Sequence, residues 1–217
     1  MIETGINFGN IHSFYDLNLI LSKKDIPPAQ AKTEYLEIPG ADGELDMTEV
    51  HGEVKYSSRE CEFTFTVHPS EEKNWEEKKT EVNNKLNGKV FDITLDTDPD
   101  YYYKGRCLVT GYEKEGKVKQ FIVSAKVEPY KYRQHLSISK HNLAEIPKEI
   151  IIISGRKPVS PEITCTDDNT LIVFGGVTYN LSAGTHEILD IRFAEGENIL
   201  TVSGSGKVTF TFQEGEL

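Results

Sequence analysis

The sequence predicts a mainly β protein of two domains, with a single α-helix in the first. Three observations lead to this fold class. A chain of 217 residues is long enough for two modest domains. Most segments alternate apolar and polar residues, which is typical of half-buried antiparallel strands, whereas one segment has helical spacing. We therefore expect an N-terminal β-barrel or sandwich with one helix over its side, followed by a β-sandwich.

Period-two alternation marks the strands of the first domain. The stretch CEFTFTVHP places Phe63, Phe65 and Val67 on one face, with polar residues between them. VFDITLDTD alternates in the same way, and GKVKQFIVSAKVEP adds a third run. This pattern predicts antiparallel strands with one face on a core and the other in water.

A helix is predicted near 70–88, in the stretch HPSEEKNWEEKKTEVNNKLNGK. Ser70 is placed to cap its start, Glu71 and Glu72 fall in the first turn, and Gly88 marks its end. Apolar residues form one narrow stripe, which consists of Trp75, Val82 and Leu86. The polar face mixes both signs of charge, which favours a helix that covers a β-barrel over one that lies on a membrane.

A domain boundary is predicted at EPYKYRQH, which separates residues 1–134 from residues 135–217. Beyond it come short strands such as EIIIIS, TLIVFGG, HEILDIRF, NILTVSG and KVTFTFQ, separated by turns rich in Gly, Asn, Asp and Pro. Strands at intervals of about 8 to 12 residues indicate a small β-sandwich. Both parts carry an excess of carboxylates, so neither is a specialised basic arm.

The composition argues against two classes of partner. A formal net charge of -11 repels phosphate backbones, so we expect no binding of nucleic acid, sequence-specific binding included. No stretch offers the roughly 18 apolar residues of a membrane span, and the N-terminus has no cationic leader. We therefore expect no membrane contact, and a protein that is made and kept in the cytoplasm.

The three cysteines carry no recognisable motif. Cys61, Cys107 and Cys165 are far apart, odd in number and without any C-x-x-C spacing. Such a distribution predicts neither a disulfide framework nor a zinc site. We expect all three to be buried, reduced and inert.

The stretch IPGADGELDMTE, residues 38–49, crowds four carboxylates around a Pro-Gly-x-Asp-Gly turn. It could be a metal loop, a catalytic acid cluster or a shaped piece of backbone. In the register of a calcium loop the ligands would be Asp42, Glu44, Asp46, Thr48 and Glu53. However, Met47 occupies the position that requires glycine, and Pro39 opposes a flanking helix. The sequence favours a structural turn without metal, built by Pro39, Gly40, Asp42 and Gly43.

Catalytic patterns are missing from the sequence. There is no G-x-S-x-G elbow, and VSGSGK lacks the spacing of a phosphate-binding loop, so it is better interpreted as a hairpin turn. The six histidines lie without metal-ligand spacing, at His12, His51, His68, His135, His141 and His186. We therefore expect no enzymatic activity, no catalytic residue and no cofactor.

The stretch DTDPDYYYKGR has the composition of a contact surface. A turn is predicted at Asp98-Pro99-Asp100, after which Tyr101, Tyr102, Tyr103 and Arg106 enter a strand. Tyrosine and arginine are enriched where proteins meet proteins. Simple packing of the strand is the competing interpretation of the same residues.

Taken in order, these segments resemble the distal tail (Dit) proteins of long-tailed phages and prophages. The resemblance rests on IPGADGELDMTE, the arginine in YSSRE, the helix near 70–88, DPDYYYKGR and the ending GENILTVSGSGKVTFTFQEGEL. It implies that residues 1–134 form a ring of six subunits and that residues 135–217 form a galectin-like β-sandwich. It also implies a virion component at the tail tip, assembled in the host cytoplasm.

In that family the ring joins the tail tube protein to the baseplate hub and its tail-associated lysin, and DNA leaves through the central hole. A receptor-binding protein is a further partner that the resemblance implies. The leading hypothesis is therefore a structural baseplate protein with Tyr101, Tyr102, Tyr103 and Arg106 at the subunit contact. The alternative is a cell-surface carbohydrate-binding module, which the absence of Trp from residues 135–217 disfavours. A small hydrolase is the third hypothesis, and no motif supports it.

Overall fold

The computed structural model describes residues 5–50 and 52–217, so His51, one of the six histidines, lies outside the described residues. The chain divides into two compact units, Met1–Lys131 and Tyr132–Leu217. Strand β9 (Val118–Arg133) runs across this division, so most of the EPYKYRQH segment is ordered strand and not an open linker. The predicted fold class, mainly β with one helix in the first domain, is confirmed.

The first unit is built on one antiparallel sheet and one helix. Its elements in chain order are β1 (Ile6–Phe8), β2 (Ile11–His12), β3 (Leu19–Asp25), β4 (Tyr35–Glu37), β5 (Glu44–Asp46), β6 (Arg59–Val67), α1 (Trp75–Leu86), β7 (Val90–Leu95), β8 (Asp98–Glu115) and β9. Seven strands of this unit follow the spatial order β2-β1-β7-β8-β9-β6-β3, whereas β4 and β5 form a separate two-stranded sheet.

The alternation seen in the sequence places the core of this unit. Phe63 and Phe65 of β6 are fully buried, and they face Phe121 and Val123 of β9 in the same cluster. Phe8 meets both phenylalanines of β6 edge to face, at ring-centre distances of 6.5 and 6.1 Å. Aromatic packing of this kind adds to the stabilisation that comes from burying apolar area alone.

Helix α1 begins later than the sequence predicts. Its N-cap is Asn74, whose side chain accepts a hydrogen bond from the backbone of Glu77, while the Glu77 carboxylate accepts one from the Asn74 backbone. This reciprocal capping box outcompetes Ser70 as the start of the helix. Val82 and Leu86 are buried in the core as predicted, and Gly88 follows the helix with φ of 77°.

A buried ion cluster attaches the helix to the preceding loop. The Nζ atom of Lys78 lies 2.5 Å from a carboxylate oxygen of Glu71 and 2.8 Å from one of Glu81, and the Lys78 side chain is only 2% exposed. The other carboxylate oxygen of Glu81 lies 2.6 Å from the Nζ atom of Lys73. Glu71, which the sequence assigned to the first helical turn, is thus a loop residue that neutralises a buried lysine.

The second unit is a β-sandwich of two four-stranded antiparallel sheets. The strands of these sheets are β10 (Ser137–Asn142), β11 (Lys148–Ser154), β12 (Glu162–Cys165), β13 (Thr170–Phe174), β14 (Val177–Leu181), β15 (Gly184–Glu187), β16 (Gly196–Ser203) and β17 (Lys207–Phe212), and the short strand β18 (Gly215–Glu216) lies outside both sheets. One sheet has the order β10-β17-β12-β15 and the other β11-β16-β13-β14. Both contribute to a single buried cluster, in which Ile172 and Phe210 are fully buried.

Among the described residues, no helix is long and apolar enough to cross a membrane.

Candidate subunit interface

The segment that holds IPGADGELDMTE forms a hairpin. Strands β4 and β5 pair antiparallel with Leu36 opposite Leu45, and residues 38–43 connect them. Within this connection Gly40 and Gly43 have φ of 85° and 79°, a left-handed conformation that glycine adopts without strain. Pro39 and Asp42 complete the turn. We call residues 34–49 the arm.

Apolar side chains of the arm are exposed to an unusual degree. Tyr35 is 53% exposed, Leu36 51%, Ile38 46% and Leu45 48%. These side chains are absent from both buried clusters of the described residues. Clusters of exposed apolar side chains on a soluble protein mark contact surfaces. The carboxylates of this segment suggested metal ligands, whereas its apolar residues were not predicted as a contact surface, although YLEIP already places three of them close together.

The arm is also strongly acidic. It carries no lysine or arginine, and its carboxylates are Glu34, Glu37, Asp42, Glu44, Asp46 and Glu49. Hydrogen bonds from the side chain and backbone of Thr48 lower the pKa of the Asp46 carboxyl. The Asp46 carboxylate therefore accepts a local backbone hydrogen bond. Glu53, the last ligand of the calcium register, has its carboxylate 3.4 Å from the Nζ atom of Lys55. The described part of the chain brings no three potential metal ligands together, and the expectation that this loop binds no calcium stays a prediction.

The tyrosine strand differs in detail from its prediction. Strand β8 already begins at Asp98, so Asp98-Pro99-Asp100 is strand and the preceding turn lies at Asp96-Thr97. Tyr103 packs on the core, and the guanidinium carbon of Arg59 lies 5.2 Å from its ring centre. Burial raises the pKa of the Tyr103 hydroxyl, and the positive charge of Arg59 only partly opposes this effect.

The four predicted contact residues do not form one surface. Because side chains alternate along a strand, Tyr102 and Arg106 share one face of β8 and Tyr101 and Tyr103 the other. Lys131 covers the ring of Tyr101, with its Nζ atom 4.2 Å from the ring centre and 2.8 Å from Asp98. Burial, followed by the carboxylates of Asp92 and Glu128, raises the pKa of the Tyr102 hydroxyl.

The outer face of β7 and β8 carries apolar and cationic side chains together. Arg106 is paired in register with Val90, which is 50% exposed, and Leu108 on the same face is 47% exposed. Lys104 lies next to Arg106 on this face and opposite Asp92. The Arg106 guanidinium donates a hydrogen bond to the carbonyl of Gly88, which holds its position. We call Val90, Lys104, Arg106 and Leu108 the β8 face.

His12 is a histidine whose role the sequence did not reveal. Its Nδ1 atom accepts hydrogen bonds from the backbone of Phe14 and Tyr15, at 3.1 and 3.2 Å. The proton therefore resides on Nε2, which donates to the Asp96 carboxylate at 3.1 Å. Asp96 also accepts a hydrogen bond from the backbone of Gly5 at 2.6 Å. Nδ1 thus holds the turn that follows β2, while Nε2 joins β2 to the β7–β8 turn over a sequence separation that no local pattern could reveal.

All three cysteines are buried, and none of them forms a disulfide bond. Burial raises the pKa of the Cys61 thiol to about 11 and that of the Cys107 thiol to about 12. Because the thiolate is the reactive form, these groups are poor nucleophiles at neutral pH.

The second unit has a shallow groove where a ligand of the carbohydrate-binding alternative could lie. The described residues that line this groove are Leu136, Val159, Ser160, Glu162, Thr185, His186, Glu187, Thr211, Phe212 and Gln213. The Nε2 atom of His186 lies 2.8 Å from the carbonyl of Ser182. The lining includes neither Trp nor Tyr, the side chains that stack best on apolar ligand faces.

The architecture matches a solved structure across both units. The chain superposes on the Dit protein of phage SPP1 with a TM-score of 0.71, over 97% of this chain and 98% of that one. The chain has a Dit-like fold. Sequence identity to the SPP1 protein is 14%, so the likeness concerns the fold. That structure is described as a paradigm of the hub adsorption apparatus in phages that infect Gram-positive bacteria.

The likeness confirms the fold that the sequence resemblance implied. No protein-family model and no curated protein sequence matches the chain. The chain thus combines a Dit-like fold with an exposed acidic arm.

Proposed function

We propose that this chain is a structural component of a phage or prophage tail baseplate, in which six copies form a ring. The Dit-like fold, which extends over nearly the whole chain, is the observation that carries the proposal. The ring connects the tail tube protein to the baseplate hub and its tail-associated lysin, and leaves a central passage for DNA. The protein has no reaction of its own in this role.

The arm and the β8 face supply the means of assembly. The arm presents Leu36 and Leu45 among six carboxylates, whereas the β8 face presents apolar side chains beside Arg106 and beside Lys104, which lies opposite Asp92. Both surfaces are apolar, and the cation of Arg106 is complementary to the carboxylates of the arm. A contact between the arm of one subunit and the β8 face of the next is head-to-tail. Such contacts form a closed ring when the rotation from one subunit to the next is a whole-number fraction of a full turn.

The charge of the chain limits this assembly. Six copies with a formal charge of -11 each repel one another, and salt screens that repulsion. Salt also weakens the attraction between the arm and Arg106, so the ring is most stable at intermediate ionic strength. An acidic ring does not retain passing DNA, which suits a passage.

The test is the mass of the full chain in solution. Light scattering at high protein concentration should give six times the chain mass of 24.5 kDa. Arg106→Glu should reduce the mass to that of a single chain, because it places like charges against the arm. Lys114→Glu, on the exposed turn side of β8, is the matched control and should leave the ring intact. A single-chain mass for the unmodified protein at every concentration, and also with tail tube and hub proteins present, would refute the ring.

A further inference from the structure

Strand β11 contains an apolar run that the sandwich does not require. It includes four successive isoleucines, of which Ile150 and Ile152 are buried at 4% and 3% exposure. The intervening Ile151 and Ile153 point the other way and are 51% and 69% exposed. A strand with one wet face normally alternates apolar and polar residues, whereas a continuous apolar run is typical of strands covered on both faces.

The exposed isoleucines belong to a larger apolar surface. Ile151 is paired in register with Ile199 of β16, which is 53% exposed. On the next strand, β13, Val173 and the 38% exposed Leu171 lie on the same side of the sheet, opposite Thr201 and Ser203 of β16. We call this surface, Ile151, Ile153, Ile199, Val173 and Leu171, the isoleucine face.

The other sheet of the same sandwich provides an internal comparison. Its outer face is formed mainly by polar residues, which include Glu162, Thr164, Thr185, Thr209 and Thr211, with one exposed apolar side chain, Ile138 of the edge strand β10, opposite Thr211. That composition is typical of a sheet surface in water. The two outer faces share one core and one chain, so the difference between them reflects what each one contacts.

The charges on the isoleucine face indicate what covers it. Along its strands Glu149 shares the side of Ile151, and Glu197 is opposite Ile153. Within the described residues neither carboxylate takes part in an ion pair. A second copy of the chain stacked face to face by a two-fold axis would set these carboxylates against each other, which is destabilising. The complementary occupant has apolar side chains bordered by lysine or arginine.

We propose that the isoleucine face is the docking surface for a different protein, one that presents apolar side chains with cationic residues at their edge. The contact is separate from the ring, since it uses neither the arm nor the β8 face. A ring subunit then carries a second protein outward through its sandwich.

The test uses the full chain and each of the proteins encoded by the genes that flank its own, expressed and purified one at a time. The variant Ile151→Thr/Ile199→Thr keeps the β-branched shape that strands favour, so it should melt at the temperature of the unmodified protein. Val177→Thr, an equally exposed site on the same sheet but outside the isoleucine face, is the matched control. At least one flanking protein should bind the unmodified chain and the control, and bind the double variant about tenfold more weakly or worse.

Raising the salt concentration should also weaken that complex, because the border charges are exposed. The proposal is overturned if no flanking protein loses affinity for the double variant. It is equally overturned if the double variant loses self-association instead, since a second copy would then be the occupant. If the Arg106→Glu variant loses the ring but still binds the partner, the two contacts are independent of each other. Failure of the ring proposal would then leave the docking proposal intact.

A footprint locates the contact. Cys61, Cys107 and Cys165 are buried, so a cysteine introduced at the surface is the one that maleimide modifies. Ile153→Cys should react in the free chain and be protected in the complex, while Glu187→Cys on the opposite sheet should react in both. Equal reactivity of Ile153→Cys in both states would place the partner elsewhere.

Discussion

Replacement of Lys78 by methionine tests how the helix is held to its unit. The Lys78 ammonium is 2% exposed and neutralises Glu71, which is 7% exposed, and Glu81, which is 16% exposed. In Lys78→Met, Glu81 keeps Lys73 at 2.6 Å and Lys85 at 3.4 Å. Within the described residues Glu71 then keeps two neutral donors, the Asn18 side chain and the Lys73 backbone, so the cost falls on it.

The magnitude follows from this asymmetry. Removing one partner of a buried ion pair costs about 3 to 5 kcal/mol, and because Glu81 stays paired we expect the lower end, about 3 kcal/mol. For a unit of this size the melting temperature should fall by about 10 °C. Lys79→Met is the matched control, because Lys79 pairs with Glu76, whose side chain is 77% exposed, and such a pair contributes about 0 to 1 kcal/mol.

Scanning calorimetry of the full chain, supported by urea unfolding followed through Trp75 fluorescence, measures the difference. The double variant Lys78→Met/Glu71→Gln should recover part of the loss, because the buried charge is then gone. Equal melting temperatures for Lys78→Met and Lys79→Met would refute the reasoning.

The same cluster predicts a pH dependence. Burial acts to raise the pKa of Glu81, but hydrogen bonds from Lys73 and Lys78 outweigh it and hold the pKa at about 2, below the ordinary value of 4.5. A folded-state pKa that is lowered stabilises the protein above about pH 4.5, and this stability is lost as the pH falls toward 2. The difference between the unmodified protein and Lys78→Met should therefore shrink over that interval. A constant difference from pH 7 to pH 3 would contradict it.

Three further predictions concern a glycine, the helix cap and calcium. Gly105→Ala should lower the stability of the first unit by about 3 kcal/mol or more in urea unfolding, because an added Cβ would clash with backbone, 2.6 Å from the Cα of Val127. Asn74→Ala should cost about 1 kcal/mol in the same assay, through loss of the helix cap. Calcium should not raise the melting temperature of the chain, and a rise that Asp42→Ala and Asp46→Ala abolish would overturn the structural interpretation of the arm.

Patterns local in the sequence predicted the fold well. Alternation in CEFTFTVHP located the buried face of β6, and helical spacing located Val82 and Leu86. The start of the helix was wrong by several residues because Ser70 and Asn74 are both good caps. Asn74 is the cap because the Glu77 side chain completes a capping box with it. Glu71 lies in the loop because it pairs with Lys78.

Features that depend on distant contacts could not be predicted. Leu36 and Leu45 look like ordinary strand residues, and only the fold shows that their hairpin stands apart from both cores. Tyr102 and Tyr103 were treated as one surface, although alternation alone separates them. His12 and Asp96 lie 84 residues apart, so their contact exists only once β1 and β7 have paired.

The buried cysteines have a consequence for the environments in which the protein is stable. With a pKa of about 11, roughly one Cys61 thiol in ten thousand is ionised at neutral pH, and thiol–disulfide exchange requires the ionised form. Neither glutathione inside a cell nor dissolved oxygen outside it has a ready target among the three sulfur atoms. The folded state therefore has the same covalent structure in reducing and oxidising media.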